Sequence, residues 1–211
     1  MFRHTTHLLL LLALALVAGC ASAPSSPSQP AGAPAGVAYR DDERLQKVWL
    51  ADGFQFRGYD MLYIAETTAD VPKLNPDGVE SLQWARGVVR DELAAALRAK
   101  GVFASVVTKE ADLKPGSKVL KLEPTIVEYE KGGGGARWFA GLYGAGQPVV
   151  KVRGRLTDGD RPVFLFETRR SGESGKARWL GGYLSDRDIQ TEDIRDLGKA
   201  LAEFIAQRTA R

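Results

Sequence analysis

Histidine and cysteine are almost missing from this chain. Its two histidines, His4 and His7, and its single cysteine, Cys20, all stand within the first twenty residues. Beyond them there is no imidazole and no thiol. This excludes serine or cysteine nucleophiles activated by histidine from the region expected to fold, together with zinc sites drawn from His and Cys. Long apolar runs are scarce too. The stretch 8–18 (LLLLLALALVA) is unbroken, but its eleven residues fall short of the ~20 that cross a bilayer. Phosphate-binding loops also fail: Gly172-Glu-Ser-Gly-Lys176 runs into Ala177 without P-loop spacing, and Gly144-Ala-Gly146 does not complete G-x-G-x-x-G. The remaining options are a carboxylate pair, an oxygen-ligand metal site or lysine chemistry. The acidic residues do not favour them. Asp158 and Asp160 flank Gly159 in a turn, while Asp186, Asp188, Glu192 and Asp193 gather where a helix begins, as capping and the helix dipole require. No cofactor and no metal is expected.

What is present begins with an address. Arg3, His4 and His7 precede the apolar run, which closes on Leu16-Val17-Ala18-Gly19-Cys20. Cationic start, short apolar core and small residues form a signal peptide over 1–19. The small residues ending on the only cysteine resemble the lipobox of bacterial lipoproteins. That resemblance implies that Cys20 receives lipid and becomes the mature N-terminus, and that Ala21 after it directs the protein to the outer membrane. The alternative is a secreted protein cut near Ala21 or Ala23, which leaves the position of the cysteine unexplained. Residues 20–37 continue with Pro, Ser, Ala and Gly and no charge, a tether unable to bury enough surface to order itself. Fully stretched, it reaches roughly 50 Å. The formal net charge of +3 falls by one when Arg3 leaves with the signal, too little to indicate nucleic acid.

Residues 38–211 are one domain's length, without internal repeats. From Val79 to Lys100, Leu82, Ala85, Val89, Leu93, Ala96 and Leu97 recur at helical spacing, and Gly101 stands where a cap is expected. A last helix opens at Ser185 and runs to about Arg208, with Ile189, Ile194, Leu197, Leu201, Phe204 and Ile205 as its apolar stripe. Strands are predicted at 46–50, 61–66 and 102–107. Alternation by two marks longer ones at 118–130, where Pro124 suggests an edge or a bulge, and at 148–157. Asp158-Gly159 then turns the chain into a return strand over 162–169. The pattern predicts an α+β fold: a mixed or antiparallel sheet of about five strands with two main helices on one face.

Two surfaces are candidates for contact. The stretch 132–146 (GGGGARWFAGLYGAG) places Arg137, Trp138, Phe139 and Tyr143 among glycines, in a connection long enough to suggest function. Its aromatics either fold back on the sheet as a lid or face outward toward a partner, a second copy or the membrane interface. A membrane-spanning hairpin would need two alternating strands of about 9–11 residues, which the segment does not contain. Trp179 stands out similarly in a polar, glycine-rich stretch. The other candidate is the basic row Lys151, Arg153 and Arg155 with Arg169, which would suit phosphate or lipid A. Glu167 among these charges fits a solvated sheet face as well.

The segment GARWFAGLYGAGQPVVKVRGRLTDGDRPVFLFETRR and the helix DIRDLGKALAEFIAQR resemble a group of bacterial lipoproteins classed as a domain of unknown function. That group is similar in fold to the amino-terminal domain of the translocation protein TolB and to the periplasmic part of the curli secretion channel. The resemblance implies no catalytic residues. The expected function is a membrane-anchored, non-enzymatic periplasmic binding or assembly module, partnered by the membrane through its lipid and by an envelope protein or itself. An oligomeric secretion or pore accessory and a carboxylate-dependent hydrolase of envelope glycans are the alternatives.

Overall fold

The computed structural model describes residues 38–133, 146–172 and 184–209. In chain order the elements are β1 (Arg40–Asp42), β2 (Gln46–Leu50), β3 (Met61–Ile64), β4 (Thr68–Ala69), α1 (Pro76–Lys100), β5 (Ser105–Val107), β6 (Val119–Glu130), β7 (Val149–Asp158), β8 (Arg161–Arg170) and α2 (Asp186–Thr209). A single 3-10 turn, Glu110–Asp112, precedes β6.

The caps explain the helix boundaries. At the start of α1, the Asn75 side chain accepts a hydrogen bond from the Gly78 N–H at 2.8 Å, and Pro76 occupies the first turn, where no N–H is needed. The helix therefore begins three residues before the apolar periodicity does. Gly101, at φ 66, ends it in the left-handed conformation that glycine adopts without penalty. Before α2, Ser185 Oγ accepts from the Asp188 N–H at 3.2 Å while Asp188 Oδ2 accepts from the Ser185 N–H at 3.3 Å. This is a capping box with aspartate as the returning acid.

The strands form one mixed sheet in the order β1-β2-β8-β7-β6-β3-β5, with β4 beside β6 in line with β3. The strands from β1 through β6 in that order pair antiparallel, whereas β3 and β4 run parallel to β6, and β5 parallel to β3. Eight strands replace the roughly five expected. The additions, such as β1 and β4, are two or three residues long and too short to show alternation. Pro124 is neither at an edge nor in a bulge. The carbonyls of Leu122 and Ile126 accept from Ala65 and Asp70 on the β3–β4 side, so the imide of Pro124, in phase with them, faces the gap between those two short strands. The ladder loses nothing there.

Both helices pack on one face of the sheet, over a core containing Val89, Leu93 and Leu97 of α1, Leu122, Val152 and Phe166 of the strands, and Leu201, Phe204 and Ile205 of α2. Burying each large apolar side chain contributes about 1.5–3 kcal/mol. Phe164 links the layers, stacking on Phe204 at 4.9 Å and meeting Phe56 edge-on at 5.9 Å. The helices touch where Gly198 leaves no Cβ: one built there would stand 2.9 Å from the Glu92 carbonyl oxygen. Beside that contact, Arg195 grips both oxygens of Glu92 at 3.0 and 3.2 Å.

Candidate functional site

The face of the sheet opposite the helices carries the predicted basic row. Alternation places Lys151, Arg153 and Arg155 of β7 there, and cross-strand register decides what each meets. Lys151 Nζ lies 2.7 Å from Glu167 Oε1, and Arg153 reaches Glu167 Oε2 at 3.4 Å. Arg155 reaches Glu123 at 3.1 Å, and Lys121 binds the same carboxylate at 2.8 Å. Arg169 takes Glu128 at 2.9 Å. Each carboxylate is thus held across a strand boundary. The Glu167 side chain is only 14% exposed. Burial pushes its carboxyl up, but Lys151 and Arg153 together outweigh that and hold it below the ordinary range. Nearby, burial and then the charge of Glu167 push the Tyr39 phenol up to about 12, against the opposing influence of Arg153.

A second region was not anticipated from the sequence. At the end of the sheet where β7 turns into β8, a cleft of about 640 Å³ opens between the 51–59 loop, the start of β6 and the hairpin. Phe54, Arg57, Tyr59, Lys118, Asp158 and Arg161 are among its lining residues. Gly53 and Gly58, at φ 71 and 94, give the loop the left-handed turns that bring Phe54 and Tyr59 together, with ring centroids 5.8 Å apart. Burial and the neighbouring Asp158 raise the Tyr59 phenol above its ordinary value. Arg161 is paired with Asp158 at 3.2 Å. Arg57 and Lys118 carry no salt bridge among the described residues. The signal was available as three aromatics, Phe54, Phe56 and Tyr59, around two glycines. What could not be read was that residues 117–119 and 158–163 close over the same space.

Of the other predicted residues, Cys20, Arg137, Trp138, Phe139, Tyr143 and Trp179 lie outside the described residues. The acidic cluster at the start of α2 is engaged locally. Asp188 caps the helix, Glu192 pairs with Arg195 at 2.8 Å, and buried Asp193 accepts from the Gly172 N–H at 2.6 Å. Among the described residues, no group of three or more His, Cys, Asp or Glu is placed to hold a metal ion. No described helix is long and apolar enough to cross a membrane.

Fold and surfaces together define a two-layer α+β domain with one helix-covered face, one ion-paired face and a cleft at the sheet's end. The chain belongs to the family described as Domain of unknown function (DUF4410), whose model matches residues 75–210. This agrees with the membership in a family of unknown function expected from the hairpin and closing helix. Comparison with curated proteins gives no match. Among solved structures, the chain is similar to the PelC dodecamer from Paraburkholderia phytofirmans, at 19% identity and a TM-score of 0.46, covering 72% of this chain and 96% of that one. A DUF330 protein from Xanthomonas campestris is similar at 13% identity and a TM-score of 0.42, covering 76% and 91%. A minor lipoprotein from Acinetobacter baumannii is similar at 14% identity and a TM-score of 0.34, covering 71% and 94%. Scores of this size transfer no property of those proteins to this chain.

Proposed function

We propose that this chain is an outer-membrane lipoprotein, anchored through lipid on Cys20, whose periplasmic domain binds a small anionic envelope compound without transforming it. The cleft is the seat of binding. The observation that carries this reading is a contrast in charge pairing. On the open face Lys121, Lys151, Arg153, Arg155 and Arg169 each meet a carboxylate, at 2.7 to 3.4 Å. In the cleft Arg57 and Lys118 meet none among the described residues. An anion approaching Lys151 must first displace Glu167, whereas one entering the cleft meets Arg57 and Lys118 without a paired carboxylate, in a lining where Asp158 is already taken by Arg161 and Asp52 is the other acid. The volume falls within the ~300–1,000 Å³ of small-molecule sites, and Phe54 and Tyr59 supply an aromatic wall.

The test is a titration of the lipidated protein, in mild detergent, with sugar acids, sugar phosphates and their neutral counterparts, followed by tyrosine and tryptophan fluorescence. Saturable binding of the anionic members alone is expected, and its loss in the Arg57→Gln/Lys118→Gln double variant. Equal binding of the neutral sugars, or an unaffected double variant, would remove the cleft from the reading. Turnover of the bound compound would remove the non-enzymatic role.

A further inference from the structure

At the opposite end of β3 from the cleft, a small cavity of about 120 Å³ lies between the end of that strand and the middle of α1, lined by Glu66, Thr67, Gln83, Arg86, Gly87 and Arg90. Among the described residues, two hydrogen-bond donors at this cavity have no acceptor. Thr67 is only 3% exposed, and its buried Oγ1 makes no hydrogen bond. The Nε of Arg90 is buried and makes no hydrogen bond either. Arg90 is ion-paired with Glu66 and Asp91, each 3.8 Å from its nitrogens and too far for a hydrogen bond, so an incoming oxyanion would have to displace these loose pairs. Arg86 is already set in place. Its Nε donates to the Thr67 carbonyl at 2.5 Å and its Nη1 to Gln83 Oε1 at 3.0 Å, and among the described residues Nη2 makes no hydrogen bond.

A buried donor without an acceptor is costly, and native proteins pair nearly all such groups with protein or with ordered water. An acceptor carrying negative charge would satisfy both and would be held by charge-assisted bonds. The two arginines stand four residues apart on α1, on the same side of the helix, so one group of several oxygens can reach both. The volume admits a single small oxyanion and not a sugar ring. We propose that Thr67, Arg86 and Arg90 form a binding site for one such oxyanion: phosphate, sulfate or a carboxylate. The site is independent of the cleft and shares none of its residues.

The experiment uses the whole lipoprotein in a non-ionic detergent, isotopically labelled, with sodium phosphate, sulfate and acetate each titrated against sodium chloride at equal ionic strength. Saturable shifts of the Thr67 and Gly87 backbone amides and a rise in the thermal midpoint are expected with at least one oxyanion and not with chloride. Arg90→Gln should weaken that binding by about tenfold or more, the loss of one charge-assisted bond. Thr67→Val should weaken it as well, and the Arg57→Gln/Lys118→Gln variant should leave it unchanged. Should Arg90→Gln disturb the fold, Arg90→Lys keeps the charge, loses the Nε geometry and should still bind more weakly than the native protein. Shifts no larger than those of chloride, or full binding in folded Arg90 and Thr67 variants, would overturn the site. The orphan donors would then be satisfied by water alone.

Discussion

The ring of Phe166 fills the space that a side chain on Gly154 would occupy: a Cβ built there would overlap its Cε1 and Cζ. The two residues are cross-strand partners on β8 and β7, facing the helices. Phe166 is fully buried and lies beside Phe164, 5.8 Å between centroids, so it has no free direction in which to retreat. Gly154→Ala should therefore destabilise by about 1–3 kcal/mol, the usual effect of overpacking a closed core. Urea unfolding checks it. In the Gly154→Ala/Phe166→Leu double variant, relief of the clash should make the combined loss smaller than the sum of the single losses.

The carboxyl of Glu167 makes a pH prediction. Its folded-state pKa lies below the ordinary 4.5 because Lys151 and Arg153 outweigh its burial. On acidification the unfolded chain binds the proton first. The stabilisation is whole above the unfolded value and disappears as pH falls through the lower folded-state value. Below neutrality, Glu167→Gln should lose the part of the acid sensitivity that belongs to this group, and its stability should approach that of the native protein at the acid end. Thermal midpoints taken from pH 7 to pH 3, at low and high salt, would show it. A constant difference between variant and native across that range would contradict the pairing.

Anchoring is tested separately from binding. With Cys20→Ser, no thioether to lipid can form, and the protein should move from the outer-membrane fraction to the soluble periplasmic or secreted fraction. It should also lose incorporation of labelled palmitate. A native protein that incorporates no label, or a variant that keeps its place in the membrane, would overturn the lipobox reading.

Much of this fold was legible because its longest elements repeat their signals. In α1, the apolar period agrees with Gly101 at the C-terminal end, and Ala85, Val89, Leu93 and Leu97 are buried while Leu82 and Ala96 are half-buried; the start at Asn75 lies before that period and was not read from it. In α2, every residue of the predicted stripe from Ile189 to Ile205 is buried. The outward aim of Lys151, Arg153 and Arg155 followed from a period of two. Their partners did not, because Glu123 and Glu167 come from strands whose register depends on the bulge between Ile126 and Glu128 and on the shift between Leu156 and Thr157. Strands of two or three residues contain no period to read. The cleft was hidden for a different reason: it joins three segments far apart in sequence, and no local pattern marks where such segments meet.

The same bulge carries the final prediction. Before it, even-numbered residues of β6, such as Leu122 and Ile126, face the helices; the extra residue changes the phase, and Tyr129 turns inward instead. Its phenol then lies between both helices, 2.5 Å from Ser81 Oγ on α1 and 3.2 Å from Gln190 Oε1 on α2, while Gln190 Nε2 donates to the Glu130 carbonyl at 3.0 Å. All three side chains are buried. Tyr129→Phe keeps the ring but leaves Ser81 and Gln190 Oε1 without the phenol, and should destabilise by about 1–3 kcal/mol. For a domain of this size that lowers the thermal midpoint by roughly 2–4 °C per kcal/mol. Because the removed hydroxyl leaves Ser81 unpaired, adding Ser81→Ala to Tyr129→Phe should cost less than Ser81→Ala costs alone. If the two losses simply add, the network does not couple β6 to the helices, and the inward turn of Tyr129 rests on packing of its ring.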